Sequence, residues 1–397
     1  MAKVKIKVRD VSKIFGPHPK RALVMLNDGI DKTEILEKTG LAVGIVNADF
    51  DVYEGEILVI MGLSGSGKST LIRCLNLLNK PTTGTVTIDD EELTTVGHKQ
   101  LLRIRQHKFG MVFQHFALFP HRKVIENAEY GLEIQGFDPA TRKEKALEAL
   151  QLVGLEGWED SYPHQLSGGM QQRVGLARAM AVDPDILLMD EAFSALDPLI
   201  RRDMQHELIS LQARVKKTII FITHDLDEAL KIGDRIILMK DGKIVQIGTP
   251  EDILENPANR YVEKFVEDVD KAKILTVGSI MSRAKVVAFP ADGPRTALHK
   301  MQDEGISSIF VVDRDYTFRG QLTADKASEA IKNHQKPIDH FYERNLQTAK
   351  VDDPVNILFP IMAETTRPVP VVDSENKLLG IVTRVDLLSC LAEGGTS

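Results

Sequence analysis

At 397 residues, with 43% hydrophobic content and a formal net charge of −7, the chain has room for two or three domains, and its acidity argues against general binding to nucleic-acid polymers. Its two cysteines, Cys74 and Cys390, stand far apart with no C-x-x-C or His cluster beside either, which argues against a disulfide scaffold or zinc site and fits a reducing cytosol. No segment approaches the run of ~20 apolar residues that spans a bilayer, so a membrane role falls to a partner.

The N-terminal "KVKIKVRDVSKIFG" alternates charged and apolar residues, which predicts a strand and leaves no apolar signal core. A polar insert, "PHPKRALVMLNDGIDKTEILEKTGLAVG", follows with helical spacing in its middle. "AVGIVNADFDVYEGEILVIMG" predicts two strands around a turn at Glu54-Gly55. "ILVIMG", "DILLMDEA" and "TIIFITH" are apolar strands that alternate with helical stretches, the pattern of a parallel sheet. Between "FGMVFQ" and "LSGGM" the chain reads as mostly helical. The helix "PLIRRDMQHELISLQARVKK" carries Arg201, Arg202, Arg214, Lys216 and Lys217, a row expected to form a solvated charged face. "DRIILMKDGKIVQIG" predicts a hairpin turning at Asp241-Gly242, and the helix "PANRYVEKFVEDV" closes the domain near residue 268.

"GLSGSGKS", from Gly62 to Ser69, directly follows the strand "EILVIM" and fits G-x-x-x-x-G-K-[ST]. Successive N–H groups, from Gly62 through Ser64, Gly65, Ser66 and Gly67 to the helix start at Lys68, Ser69 and Thr70, are suited to surround a β-phosphate. Lys68 would bridge β- and γ-phosphates, and Ser69 would ligate Mg²⁺. Asp190 emerges at the C-terminal end of "DILLMD", where open α/β sheets bind ligands, and would hold Mg²⁺ through water. Glu191 is the candidate general base. His224 ends another such strand and is expected near the γ-phosphate. A second anion-binding helix start, Ser167-Gly168-Gly169, lies about a hundred residues further along; its free N–H groups and dipole favour phosphate.

The phosphate loop, Gln114 in "MVFQ", "LSGGM", "DILLMDE", "SALD" and "FITHD" occur in the order found in ABC-type ATPases, which the first domain resembles. The resemblance implies an α/β fold over residues 1–268: a P-loop nucleotide-binding domain with a RecA-like core, an antiparallel β part and a helical subdomain at about 115–180. It further implies a second copy of the chain packed head to tail. ATP would then lie between the phosphate loop of one copy and Ser167, Gly168 and Gly169 of the other, with Asp197 at the same seam. Gln114 would touch Mg²⁺ and link the γ-phosphate to the helical subdomain, which contacts transmembrane partners. Phe15 would stack on adenine.

The tail, roughly 274–394, repeats a pattern. "SIFVVDRDYTFRGQLTADKA" and "PVPVVDSENKLLGIVTRVDLL" each hold a strand ending in Val-Val-Asp, a polar turn and a second strand near a Gly. Helix-like stretches, "PRTALHKMQDEGI" and "PVNILFPIMAETT", precede them, and two such units are expected to bury their apolar faces against each other. The tail resembles an α+β tandem CBS module, with repeats at 269–335 and 336–394. That resemblance implies an adenine nucleotide, such as c-di-AMP, held at the second repeat by Thr383 and Asp386 of "GIVTRVD". The first repeat keeps Thr323 but has Lys326 in place of the Asp. Arg367 is a candidate phosphate partner. A dimerisation element or ionic-strength sensor is the alternative reading of the tail.

The insert after "KIFG", the run "LMDEAFSALDPLIRRDMQ" and the tail together resemble the ATPase subunits of quaternary-amine (glycine betaine or proline betaine) osmoprotectant importers. The resemblance implies an ATPase on the cytoplasmic face of the cell membrane. Permease subunits, carrying or joined by a substrate-binding protein, would hold it there. ABC ATPases of translation or DNA repair usually place two nucleotide domains in one chain or insert a long coiled coil; this sequence does neither.

Overall fold

A computed structural model describes residues 3–267, 275–334, 338–365 and 367–392. The chain divides into two compact units, 1–266 and 267–397.

The strands of the first unit are β1 (Val4–Phe15), β2 (Ala42–Tyr53), β3 (Ile57–Met61), β4 (Thr83–Ile88), β5 (Glu91–Glu92), β6 (Phe109–Phe113), β7 (Ile186–Asp190), β8 (Thr218–Thr223), β9 (Arg235–Lys240) and β10 (Lys243–Gly248). They form two sheets: an antiparallel sheet ordered β2-β1-β4-β5, and a sheet ordered β10-β9-β3-β8-β7-β6. In the second, β9, β3, β8, β7 and β6 run parallel, and β10 adds an antiparallel edge. The three strands that read as apolar runs, β3, β7 and β8, are buried throughout, and β9 along nearly its whole length, as parallel strands covered on both faces must be. The hairpin at Asp241-Gly242 forms as expected, with both residues at positive φ (52° and 81°). The strands flanking Glu54-Gly55 do not pair with each other, because the turn carries the chain from one sheet into the other.

The insert folds as two short helices, Lys20–Asn27 and Lys32–Thr39, around a small core of Ile14, Ala22, Ile35 and Leu41. Helices at Val124–Ala128, Tyr130–Gln135, Pro139–Leu152 and Gly168–Ala181 make up the helical stretch. The last of these is buried almost all round, including Val174, Leu176, Ala177 and Ala179. The closing helix runs Arg260–Val266; the expected extension to residue 268 lies outside the described residues. Among the described residues no helix is long and apolar enough to cross a membrane. Cys74 is buried and unpaired, and burial pushes its thiol up to about 12.

In the tail the strands are β11 (Val287–Ala288), β12 (Ser308–Val312), β13 (Phe318–Thr323), β14 (Ala349–Lys350), β15 (Val369–Val372) and β16 (Leu378–Val382). They form two three-stranded sheets, β11-β12-β13 and β14-β15-β16. Phe310, Val312 and Phe318 of one repeat share a core with Val372 and Leu378 of the other. The repeats also exchange backbone pairing: Gln321 pairs with Glu343, and Ser282 with Ile381. Glycine is required at one of these crossings, where a Cβ on Gly320 would sit 2.1 Å from the Glu343 carbonyl oxygen at φ +153°.

Candidate functional site

The phosphate loop connects β3 to the helix Lys68–Leu75. Two of its glycines admit no side chain. A Cβ on Gly62 would lie 2.2 Å from the Met239 carbonyl oxygen, and one on Gly67 2.4 Å from that of Gly44. Gly65 is exposed, with open space around it. The hydroxyl of Ser66 is buried without a partner. Lys68 is 5% exposed and donates to the carbonyls of Gly62 (2.8 Å) and Leu63 (3.2 Å). Burial lowers its pKa, and the nearby Glu191 and Asp190 carboxylates oppose that shift.

Asp190 ends β7, and its carboxylate accepts from Ser69 Oγ at 2.9 Å and from Arg73 at 3.3 Å. Glu191 follows at φ 49°, a left-handed conformation that costs a non-glycine residue energy. From there its carboxylate lies 3.8 Å from Lys68 Nζ, 3.6 Å from His224 Nδ1 and 3.4 Å from Gln114 Nε2. Lys68, Ser69, Asp190, Glu191, His224 and Gln114 therefore meet at the C-terminal edge of the parallel sheet, where β3, β7, β8 and β6 end. Phe15 and Thr70 both pack close to Gly44: a Cβ there would lie 3.0 Å from each. The Phe15 ring is 38% exposed and carries Lys13 Nζ 4.9 Å from its centroid.

Ser167 caps its helix by accepting from Met170 N at 3.3 Å. The nearest neighbours of the following glycines are Leu196 and Phe116 for Gly168, and Ile200 for Gly169. Ser167 and Gly168 are exposed. Asp197, also exposed, caps the helix Pro198–Val215 by accepting from Leu199 N and Ile200 N.

The charged row is solvated at Arg202, Arg214 and Lys216 but not throughout, and Lys216 and Lys217 lie past the helix end at Val215. Arg201 is turned inward: it donates to the carbonyls of Phe193 (3.2 Å), Ser194 (3.3 Å) and Leu196 (3.0 Å) and lies 3.9 Å from Asp225. Lys217 pairs with Asp183 at 2.6 Å. Helical position alone did not reveal the Arg201 clamp, because its acceptors are backbone carbonyls of the preceding turn. Beside the site a groove of about 360 Å³ opens between β6 and the helical stretch, lined by Phe109, Phe113, Phe119, Tyr130, Ile134 and Arg178 among others.

In the tail, Thr383 and Asp386 engage each other. Asp386 Oδ2 accepts from Thr383 N (2.7 Å) and Oγ1 (2.6 Å), at the start of the helix Arg384–Ala392. Thr323 caps its own helix by accepting from Lys326 N. Arg367 is paired with Glu343 at 2.7 Å, and this guanidinium holds the Glu343 carboxyl below its usual range.

A phosphate loop at a sheet edge, a strand-end Asp-Glu pair, a distal serine-glycine helix start and an exchanged pair of βαβ repeats define an ABC-type ATPase with a CBS tail. The ABC transporter family matches residues 45–194, and the CBS domain family matches 277–333 and 338–393. The chain is 57% identical to the glycine betaine transport ATP-binding protein OpuAA of Bacillus subtilis (strain 168), over 98% of this chain and 93% of the relative. It is 52% identical to the glycine betaine/carnitine transport ATP-binding protein GbuA of Listeria monocytogenes serotype 1/2a (strain 10403S), over 98% of each. Among solved structures, the dimeric bacterial ABC transporter cassette MJ0796 aligns with a TM-score of 0.52 and 34% identity, covering 62% of this chain and 98% of that one. The chain belongs to the glycine betaine transport ATP-binding proteins, the ATPase subunits of a class of ABC transporters.

Proposed function

We propose that this chain powers import of glycine betaine or a closely related quaternary amine, working as two copies beneath permease subunits on the cytoplasmic face of the membrane. The meeting of Lys68, Asp190, Glu191, His224 and Gln114 at one sheet edge, with Ser167 and Gly168 exposed at a separate helix start, carries this reading. Lys68 leaves its two loop carbonyls for the β- and γ-phosphate oxygens. Phe15 supplies the stacking face for adenine. Glu191 takes the proton of the attacking water, and His224 contacts the γ-phosphate. The second copy's Ser167–Gly169 helix start closes over that phosphate, with Asp197 at the seam. ATP then bridges the two copies, and hydrolysis removes the bridge.

Ser69 and Asp190, with oxygens 2.9 Å apart, and the Gln114 amide oxygen offer hard oxygen donors that fit Mg²⁺. Bound there, Mg²⁺ neutralises charge on the phosphates.

The groove beside Gln114 would receive a permease helix, and a substrate-binding protein would deliver solute from outside. The tail would regulate the motor by binding an adenine nucleotide such as c-di-AMP at the second repeat, through Thr383, Asp386 and Arg367. Domain limits of 1–268, 269–335 and 336–394 go with this reading. The test is expression with the cognate permease in lipid, followed by ATP hydrolysis and uptake of labelled glycine betaine. Solute-stimulated hydrolysis that Lys68→Ala abolishes supports the reading; capture without a permease, or hydrolysis indifferent to Lys68, sinks it.

A further inference from the structure

The turn joining β9 to β10 is pressed into the back of the phosphate loop. Gly242 N donates to Ser66 O at 3.0 Å, and Met239 O sits where a Cβ of Gly62 would be. Any displacement of this turn therefore displaces the loop. Two side chains from segments distant in sequence hold the turn in place. Lys32, the first residue of the insert's second helix, pairs with Asp241 Oδ1 at 2.8 Å and reaches Gly65 O at 3.4 Å. Asp31, one residue earlier, caps the helix and so fixes where Lys32 emerges. Tyr261, on the closing helix Arg260–Val266, donates to Met239 O at 3.4 Å, and Lys240 Nζ lies 4.6 Å from its ring centroid. Burial raises the Tyr261 phenol above its ordinary range.

We propose that Lys32 and Tyr261 are positioning residues for ATP: they fix the Met239–Gly242 turn and, through it, the binding shape of the phosphate loop. The insert thereby becomes part of the nucleotide site without touching the nucleotide. The helix from which the chain continues towards its tail is tied to the same loop. Loop shape before ATP arrives governs affinity, since a loop that must be ordered by its ligand binds it more weakly. The proposal rests on the phosphate loop being the ATP site.

The test uses the full chain assembled with its permease. Lys32→Ala and Tyr261→Phe should each raise KM for ATP about two- to tenfold, as expected for partly exposed polar ties, with kcat at saturating ATP within about twofold. Lys32→Arg should restore most of the lost affinity. The double variant should raise KM by less than the product of the single effects, because both residues act on one turn. Unchanged KM in either single variant removes that residue from the proposal, and multiplicative effects overturn the shared turn. Thermal melting without nucleotide checks the fold. Asp241→Asn removes the partner of Lys32 at equal size and should reproduce the KM shift. Lys68→Ala is the separate control: if it spares ATP binding, the ATP-site reading itself has failed, whatever Lys32 and Tyr261 do.

Discussion

Glu191 and His224 face each other across the sheet edge, Oε2 to Nδ1 at 3.6 Å, and Glu191 holds that position from a left-handed backbone conformation. The carboxylate is 21% exposed, so a water can reach it. Glu191→Gln keeps size and polarity and removes the proposed base. Hydrolysis should fall by about 10²- to 10⁴-fold, while ATP still binds and drives two copies together. Size-exclusion chromatography with ATP should show a persistent dimer; wild-type turnover in this variant would refute the role.

The two glycines of the Ser167-Gly168-Gly169 helix start, the signature segment of the ATPase family, should fail differently. A Cβ on Gly168 would come no closer than 3.7 Å to a neighbour, whereas one on Gly169 would sit 2.6 Å from Ile200 Cγ2. Gly168→Ala should therefore fold and bind ATP as the wild type does. Gly168→Asp should melt normally and bind ATP as a monomer, yet abolish hydrolysis, because in the proposed two-copy arrangement its charge would oppose the γ-phosphate of the other copy. Gly169→Ala must push Ile200 aside and should lower stability by about 1–3 kcal/mol. Melting curves and nucleotide titrations separate the two, and loss of monomer binding in Gly168→Asp would place the signature in its own copy's pocket.

Arg201 ties the turn between Glu191 and Asp197 to Asp225, the neighbour of His224. Arg201→Ala should cut kcat about tenfold or more, since misplacing catalytic groups by about 1 Å can cost 10²-fold, and should leave monomer ATP affinity intact. Lysine should not rescue it, because three carbonyls need the guanidinium fork. Steady-state kinetics decide, and full activity in the Lys variant would count against the clamp.

Glu228 is buried; it accepts from Gln205 Nε2 at 3.0 Å, and burial raises its pKa. The folded protein thus holds this proton more tightly than the unfolded chain. Stability from this group is full at acid pH and declines as pH rises from the ordinary carboxylate range through the raised folded value. Glu228→Gln keeps an acceptor for Gln205 and carries no charge. Its melting temperature should match the wild type at acid pH, and the gap in its favour should widen as pH rises through the raised folded value and then level off; a gap that narrows with pH would contradict the sign.

In the tail, Arg367 is engaged by Glu343 at 2.7 Å, so a phosphate must displace that carboxylate. Glu343→Gln should tighten c-di-AMP binding to the full chain, and Arg367→Ala or Asp386→Ala should weaken it, by calorimetry. If none of the three moves binding, the regulatory ligand is not held there.

The candidate site residues were legible as candidates because each sits in a short local signal: Gly62–Ser69 after an apolar strand, Asp190-Glu191 at a strand end, Ser167–Gly169 at a helix start. The hairpin at Asp241-Gly242 was legible for the same reason. What escaped depends on contacts between distant segments. Nothing local at Glu54-Gly55 tells a hairpin from a crossing between sheets. Arg201 resembles its exposed neighbours until the preceding turn folds back on it. Lys32, Asp241 and Tyr261 meet only after some two hundred residues have folded. The strands Val287–Ala288 and Ala349–Lys350 are too short to show a period of two.

The exchanged pairing of the tail has a consequence for synthesis. Gln321 pairs with Glu343, and Ser282 with Ile381, so the first repeat's polypeptide is complete well before its partners exist. On the ribosome, where chains emerge at about 5–20 residues per second, the segment from Ser282 onward must wait for some hundred residues before its last backbone partner appears. A chain stopped between the repeats would keep the strands of the first sheet but lose both bridges and the Val372 and Leu378 side of the shared core, leaving Phe310, Val312 and Phe318 uncovered.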